Sequence, residues 1–350
     1  MIGSPRNVLV VHTAFIGDII LTLPMVQALH TKLPDARITF VAIPSAAGVL
    51  ANHPGIREII VYDKKGMERG LGGMVSLARR LRKTRFEVAL VPHRSLRSAA
   101  LVWLARIPKR VGFHSSAGRW LFTDVVRYRK ESHEIDRNMS LLQSIGLSHL
   151  KPELPSVYPS FEDDNTASQL LNTAPTGTNG WVAFAPGSVW NTKRWPWEHF
   201  VALGRMLVSH GHSIVLIGGS EDATLCHQIA TGIGDDRVVN AAGQLTLLQS
   251  AALIARCRVA ISNDSAPMHL AVAVRTPVVA IFGATVPEFG FAPRGPYDVV
   301  SETKGLACRP CSIHGGDRCP IKTFVCMNDL SPESVFQQVQ RTLQRARAGV

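Results

Sequence analysis

Charge and aromatic rings are in short supply: charged residues make up 18% and aromatic residues 7% of the 350 positions, against a hydrophobic share of 46%. So little charge beside so much apolar material excludes an intrinsically disordered chain. The length supports two ordinary cores of about 175 residues each. A membrane-length apolar run is also missing. The long charge-free window between Arg37 and Arg57 contains Pro44, His53 and Pro54, a pattern foreign to a spanning helix. The apolar start Val8–Val11 is cut by His12 and Asp18, with neither a basic flank nor a small-residue cleavage site. The expectation is a cytoplasmic protein with no secretory signal, able to touch a membrane from outside the lipid core. No Walker A spacing, recognised nucleic-acid module, zinc-finger spacing or short-period repeat occurs.

Acidic residues are outnumbered in one half only. Residues 1–160 hold 23 basic and 11 acidic side chains, 23 − 11 = +12, whereas residues 161–350 hold 15 of each. The whole formal charge of +12 therefore belongs to the first half. It points to a polyanion, which is an anionic membrane surface, a phosphorylated substrate or nucleic acid. The missing modules argue against nucleic acid; the plain alternative is solubility.

Hydrophobic patterning predicts an α/β fold. Apolar runs at Asn7–Val11, Ile38–Ala42, Ile59–Tyr62 and Val88–Val91 read as strands, with helices over Ile19–Leu33 and Met74–Arg85 between them. The second half repeats the pattern. Strands are predicted at Trp181–Ala185, Ser213–Ile217, Val238–Ala241, Val259–Ser262 and Val278–Phe282, and helices at His199–Ser209, Asp222–Thr231, Thr246–Cys257 and Pro267–Val274. Strands separated by helix-length segments need crossover connections and hence parallel sheets. The prolines and the acidic patch Glu162-Asp163-Asp164 place the connection near 151–179. The division drawn is 1–165 and 180–350, with a linker over 166–179. Two such domains imply a ligand cleft at the carboxyl ends of their sheets.

Four strand ends carry residues capable of chemistry. After the first strand comes His12-Thr13-Ala14-Phe15-Ile16-Gly17-Asp18, where Asp18 either caps a helix or acts as a general base toward a hydroxyl. The run Ala185 to Pro196 joins a Gly187-Ser188 loop to Lys193-Arg194, set between Trp190 and Trp195, and suits a phosphate. Gly218-Gly219-Ser220-Glu221-Asp222 offers an acid for a ribose hydroxyl, or simply favourable first-turn acids. In Asn263-Asp264-Ser265-Ala266-Pro267-Met268-His269 a helix N-terminus creates an anion site. Asp264 there is a poor phosphate neighbour and is better suited to orient a hydroxyl, a lysine or a backbone amide. His269 is either packed or functional.

The Asn263–Leu270 stretch, followed by Thr276 to Gly283, resembles glycosyltransferase family 9, the lipopolysaccharide heptosyltransferases, and within them the heptosyltransferase II branch. Phe15–Asp18, Ala185–Pro196, Gly218–Glu221 and the Cys308–Met327 tail agree with it in order, over nearly the whole chain. The resemblance implies a GT-B fold of two Rossmann-like domains, an acceptor-binding N-terminal one and a nucleotide-sugar-binding C-terminal one. It implies inverting transfer of L-glycero-D-manno-heptose from ADP-heptose to the lipopolysaccharide inner core, with no metal required. It further implies that Asp18 is the general base and that Lys193 contacts the donor phosphates. Ser188 then lies near the diphosphate, Glu221 at the ribose, and Asp264, Ser265 and His269 in the donor motif. His93, Arg94 and Arg97 depart from the small polar residues expected there and suit a phosphorylated or carboxylated acceptor. Heptosyltransferase I or III chemistry, or another nucleotide sugar, is the alternative. The protein is expected to be a monomer at the cytoplasmic face of the inner membrane.

The cysteines divide into two kinds. Cys226 and Cys257 fall in helical segments as buried thiols, while Cys308, Cys311, Cys319 and Cys326 cluster as C-x2-C-x7-C-x6-C. Four thiols are enough for a structural zinc site, although the second pair lacks the short spacing.

Overall fold

The computed structural model describes residues 5–349. The chain divides after Tyr158 into two compact units. The first contains β1 (Asn7–Val11), α1 (Ile16–Ile20), α2 (Leu23–Lys32), β2 (Arg37–Ala42), α3 (Pro44–Ala47), β3 (Glu58–Val61) and α4 (Gly70–Lys83). It continues with β4 (Val88–Val91), α5 (Leu96–Leu104), β5 (Lys109–Phe113), β6 (Asp124–Val126) and α6 (Glu134–Ser140). The second contains α7 (Phe161–Leu171), β7 (Trp181–Ala185), α8 (Trp197–Ser209), β8 (Ser213–Leu216), α9 (Ala223–Ile233), β9 (Val238–Asn240) and α10 (Leu247–Ala255). It ends with β10 (Val259–Asn263), α11 (Ala266–Ala273), β11 (Val278–Phe282), β12 (Val299–Glu302), α12 (Val325–Asn328) and α13 (Pro332–Ala348).

Each unit is built on one six-stranded sheet, ordered β3-β2-β1-β4-β5-β6 in the first and β12-β11-β10-β7-β8-β9 in the second. Every strand pair is parallel. Numbered within each unit, both orders are the doubly wound 3-2-1-4-5-6. The central strands β1, β4, β7 and β10 are buried along nearly their whole length, because helices cover both faces of a parallel sheet. In this order the chain leaves the sheet in opposite directions after strands one and four, opening a crevice at their carboxyl ends. Those ends are β1 with β4, and β7 with β10.

Two sequence expectations are corrected. The single helix over Ile19–Leu33 is two helices, α1 and α2, with Pro24 in the first turn of the second, where its missing N–H costs nothing. The linker over 166–179 and the boundary at 165 give way to a division at Tyr158, because the acidic patch begins a helix. Ser160 caps α7 reciprocally with Asp163, and Glu162, Asp163 and Asp164 complement the positive end of its dipole. Ala167 and Leu171 are buried, and Arg256 at the end of α10 pairs with Asp164 at 2.6 Å and donates to Ser168 at 3.0 Å. Composition alone mistook helix-starting acids for a solvated connection.

Because α7 is part of the second core, Leu171→Ala in the full chain should cost about 2–5 kcal/mol, as for other buried leucines. Urea unfolding checks this. An unchanged midpoint would show that the segment is a linker after all.

Candidate active site

In the first unit the switch point brings together the segments after β1 and β4. Phe15 occupies the N-cap of α1 and offers no side-chain acceptor, so Asp18, in the first turn and half-buried, is not the capping residue. Its carbonyl accepts the Thr22 hydroxyl at 2.9 Å, and Thr22 Oγ1 lies 2.7 Å from Nδ1 of buried His12. With the hydroxyl proton committed to Asp18, the imidazole donates from Nδ1. Burial holds His12 neutral, well below the ordinary histidine range, with His93 and Lys64 adding to the effect.

His93 follows β4, and its Nδ1 lies 3.0 Å from both Thr13 Oγ1 and Ser98 Oγ. Burial first, then Lys64 and Arg94, pushes its pKa down to about 4. Lys64, just beyond β3, donates to the Thr13 carbonyl at 2.5 Å, and Arg97 Nη1 donates to the Lys64 carbonyl at 3.4 Å. The Lys64 pKa is lowered by burial, Arg97 and Lys65. Two cations and a neutral imidazole at a strand end favour an incoming anion. Arg94 turns elsewhere: its guanidinium stacks 4.2 Å from the Tyr128 ring, whose hydroxyl donates to Glu134 at 2.9 Å. The structure thus links His93 and Arg97 through Thr13 and Lys64, while the Arg94 guanidinium is engaged by the Tyr128 ring. Lys64 was missed by sequence reading, yet the rule that found the other sites, a polar residue just past a parallel strand, applies to it equally.

In the second unit the crevice lies after β7 and β10. Lys193 Nζ sits 2.7 Å from Asp264 Oδ2 and 3.3 Å from the Asp264 carbonyl, and Thr285 donates to the same carboxylate oxygen at 2.7 Å. The two charged side chains are only 13% and 9% exposed, so they depend on each other for solvation. Of the three roles open to Asp264 in sequence, two are observed: it holds the lysine and it fixes a hydroxyl, that of Thr285. Asn263 fixes the loop that carries Lys193, donating to the Pro186 carbonyl at 2.7 Å and accepting from the Trp195 amide at 3.1 Å. Ser188 is nearly buried and its carbonyl accepts Arg194 Nε at 2.8 Å.

Ser265 is the N-cap of α11, yet its hydroxyl does not cap the helix and, although buried, has no partner among the described residues. An orphaned donor at a helix N-terminus beside a lysine is an anion-binding arrangement. His269, one turn in, is buried and pushed down to about 4 by burial, against the opposing pull of Asp264. The acid pair after β8 separates by role. Asp222 accepts from the Gly219 amide at 3.1 Å and packs so closely that a Cβ on Gly187 would lie 2.2 Å from its carboxylate. Glu221 is exposed, touched at 3.5 Å by the Ser220 hydroxyl, and available to a polyol.

A structural zinc site is one reading of the cysteine cluster. Cys308, Cys311, Cys319 and Cys326 are free thiols, Cys326 is buried in the second core, and among the described residues no group of three or more His, Cys, Asp or Glu could hold a metal ion. Burial pushes the Cys326 thiol up to about 11. Cys226 and Cys257 are buried as expected.

Comparison with known proteins gives a consistent result. The description of glycosyltransferase family 9 (heptosyltransferase) matches residues 74–315. Lipooligosaccharide heptosyltransferase 2 of Haemophilus influenzae is 27% identical over 296 residues, covering 81% of this chain and 85% of that one. Lipopolysaccharide heptosyltransferase 2 of Escherichia coli K12 is 27% identical over 293 residues, covering 81% and 84%. Among solved structures, a family 9 glycosyl transferase from Veillonella parvula superposes with a TM-score of 0.87 at 24% identity, covering 97% of this chain and 98% of that one. The ADP-heptose heptosyltransferase II of E. coli gives 0.79 at 24% identity, covering 97% and 99%.

Two outcomes follow from the geometry. Between pH 6.5 and 4 the unfolded chain binds protons at His269 that the folded chain refuses, so stability is present at neutral pH and lost as pH falls through that window. The loss for His269 is about 3 kcal/mol, read as a urea midpoint at pH 7 and near pH 4 and reduced in His269→Gln. Lys193→Met leaves the Asp264 carboxylate buried without its cation and should cost about 3–5 kcal/mol, partly restored by adding Asp264→Asn.

Proposed function

The chain belongs to glycosyltransferase family 9, and from that premise we propose that it moves L-glycero-D-manno-heptose from ADP-heptose to the inner core of lipopolysaccharide, as heptosyltransferase II. The family makes it a glycosyl-transferring enzyme with a GT-B fold. The observation that carries the donor assignment is the buried, unpartnered Ser265 hydroxyl at the N-terminus of α11, beside the Lys193–Asp264 pair. The relatives' names, lipopolysaccharide and lipooligosaccharide heptosyltransferase 2, support the substrate pair.

In this reading Asp18 removes the proton from an acceptor hydroxyl as that oxygen attacks the anomeric carbon. The bond from that carbon to the phosphate oxygen breaks on the opposite face, so the configuration inverts. The negative charge passes to ADP, where Lys193, the Ser265 hydroxyl and the amides of α11 stabilise it without a metal. Asp264 holds Lys193 in place, Ser188 lines the diphosphate side, and Glu221 receives the ribose hydroxyls. Lys64, His93 and Arg97 receive the anionic groups of the acceptor. The reading places the protein as a monomer on the cytoplasmic face of the inner membrane; among the described residues no helix is long and apolar enough to cross a membrane.

The test is ADP-heptose with a truncated core acceptor bearing one heptose, product mass and linkage being determined. Product only with an acceptor lacking heptose would move the assignment to heptosyltransferase I, and product with another donor would move it to another sugar. Asp18→Asn should lower kcat by about 10²–10⁴ with the donor KM little changed. Glu221→Gln should instead raise the donor KM by about tenfold and spare kcat, which steady-state kinetics separates.

A further inference from the structure

We propose that the face formed by α4 and α5 seats the protein on an anionic phospholipid bilayer. Between Arg69 and Thr123 the sequence holds twelve basic residues and one acid, Glu87. That acid is already engaged, accepting the Arg6 amide at 2.9 Å. Val75 and Ala78 of α4, with Trp103 and Leu104 of α5, line a groove of about 410 Å³ there. Arg79, Arg82 and Arg106 complete it and are exposed. None of the three has a carboxylate partner among the described residues, whereas neighbouring Arg80 pairs with Glu58 at 3.1 Å.

The groove is not only basic. Trp103 is 51% exposed, and Leu71, one turn before Val75 on the same helical stripe, is 75% exposed. An aliphatic and an indole side chain bordered by guanidinium groups match the boundary between headgroups and acyl chains. The cations face anionic headgroups and the apolar pair enters the layer beneath. A nucleic acid would use the charge but leave the aliphatic stripe unemployed. The inference deepens the functional reading and rests on it for the bilayer as the place where the acceptor is held. None of these residues belongs to the site that carries the transfer.

The experiment is co-sedimentation of the full chain with phosphatidylglycerol-containing vesicles, against vesicles of phosphatidylcholine alone. Binding to the anionic vesicles at low salt, lost at high salt, is expected. Reversal of Arg79, Arg82 and Arg106 to Glu should reduce partitioning by about a hundredfold. Leu71→Ser with Trp103→Ser should weaken it at every salt concentration, with circular dichroism melts confirming the fold of each variant. Absence of binding at low salt, or binding indifferent to both sets, would overturn the proposal. So would duplex DNA binding that is tighter than vesicle binding and sensitive only to the charge reversals. Turnover of a water-soluble acceptor should be unchanged in the charge-reversed variant. Loss of turnover in the unaltered protein would remove the functional reading while leaving the vesicle result standing.

Discussion

The pair between Lys193 and Asp264, 2.7 Å apart and almost wholly removed from water, is the constraint on which the crevice of the second unit depends. A buried cation is tolerated only with an anion, and a buried anion only with donors. Thr285 and Lys193 supply those donors to one carboxylate oxygen. The loop after β7, the end of β10 and the turn after β11 are thereby held around a single group. Asn263 adds the backbone ties that stop the loop from drifting. What remains uncompensated at this point is the Ser265 hydroxyl, an orphan that a phosphate oxygen would satisfy.

The first unit uses the same sheet order for a different electrostatic end. Its switch point carries two neutral histidines and two cations with a carboxylate, Asp18, nearby in sequence at the start of α1. Burial keeps the imidazoles from adding charge, so the positive character there comes from Lys64 and Arg97. The residues that surround them are hydroxyls, which relay hydrogen bonds without altering the charge. The arrangement is suited to an incoming anion, and it is set on rigid strand ends rather than on a long loop. Part of the basic excess of the first half lies in this crevice and part on the α4–α5 face.

Much of the architecture was legible because parallel strands are buried on both faces and read as plain apolar runs. Val88–Val91 and Val278–Phe282 fall where the patterning places them. The shorter or more polar strands were not legible: Lys109–Phe113, next to the edge, begins with two cations, and the edge strand Asp124–Val126 is three residues long and only partly buried. The domain boundary was misplaced for a related reason. Acids that begin a helix and acids that solvate a linker have the same composition, and only the packing of Ala167 and Leu171 distinguishes them.

The sequence by itself determined which side chains stand at the strand ends, since a strand's end and the glycines, prolines and hydroxyls that follow it are local features. It also determined where the positive charge lies along the chain. Tertiary structure alone decided the partnerships: that Asp264 answers Lys193, that Asp222 is spent on packing while Glu221 is exposed, that Arg94 stacks on Tyr128, and that Lys64 joins the group. These pairings span many residues, from 33 for Arg97 with Lys64 to 71 for Lys193 with Asp264, and depend on strand order. Strand order is set by how two faces of a sheet are covered, a property of the whole domain that no local window contains.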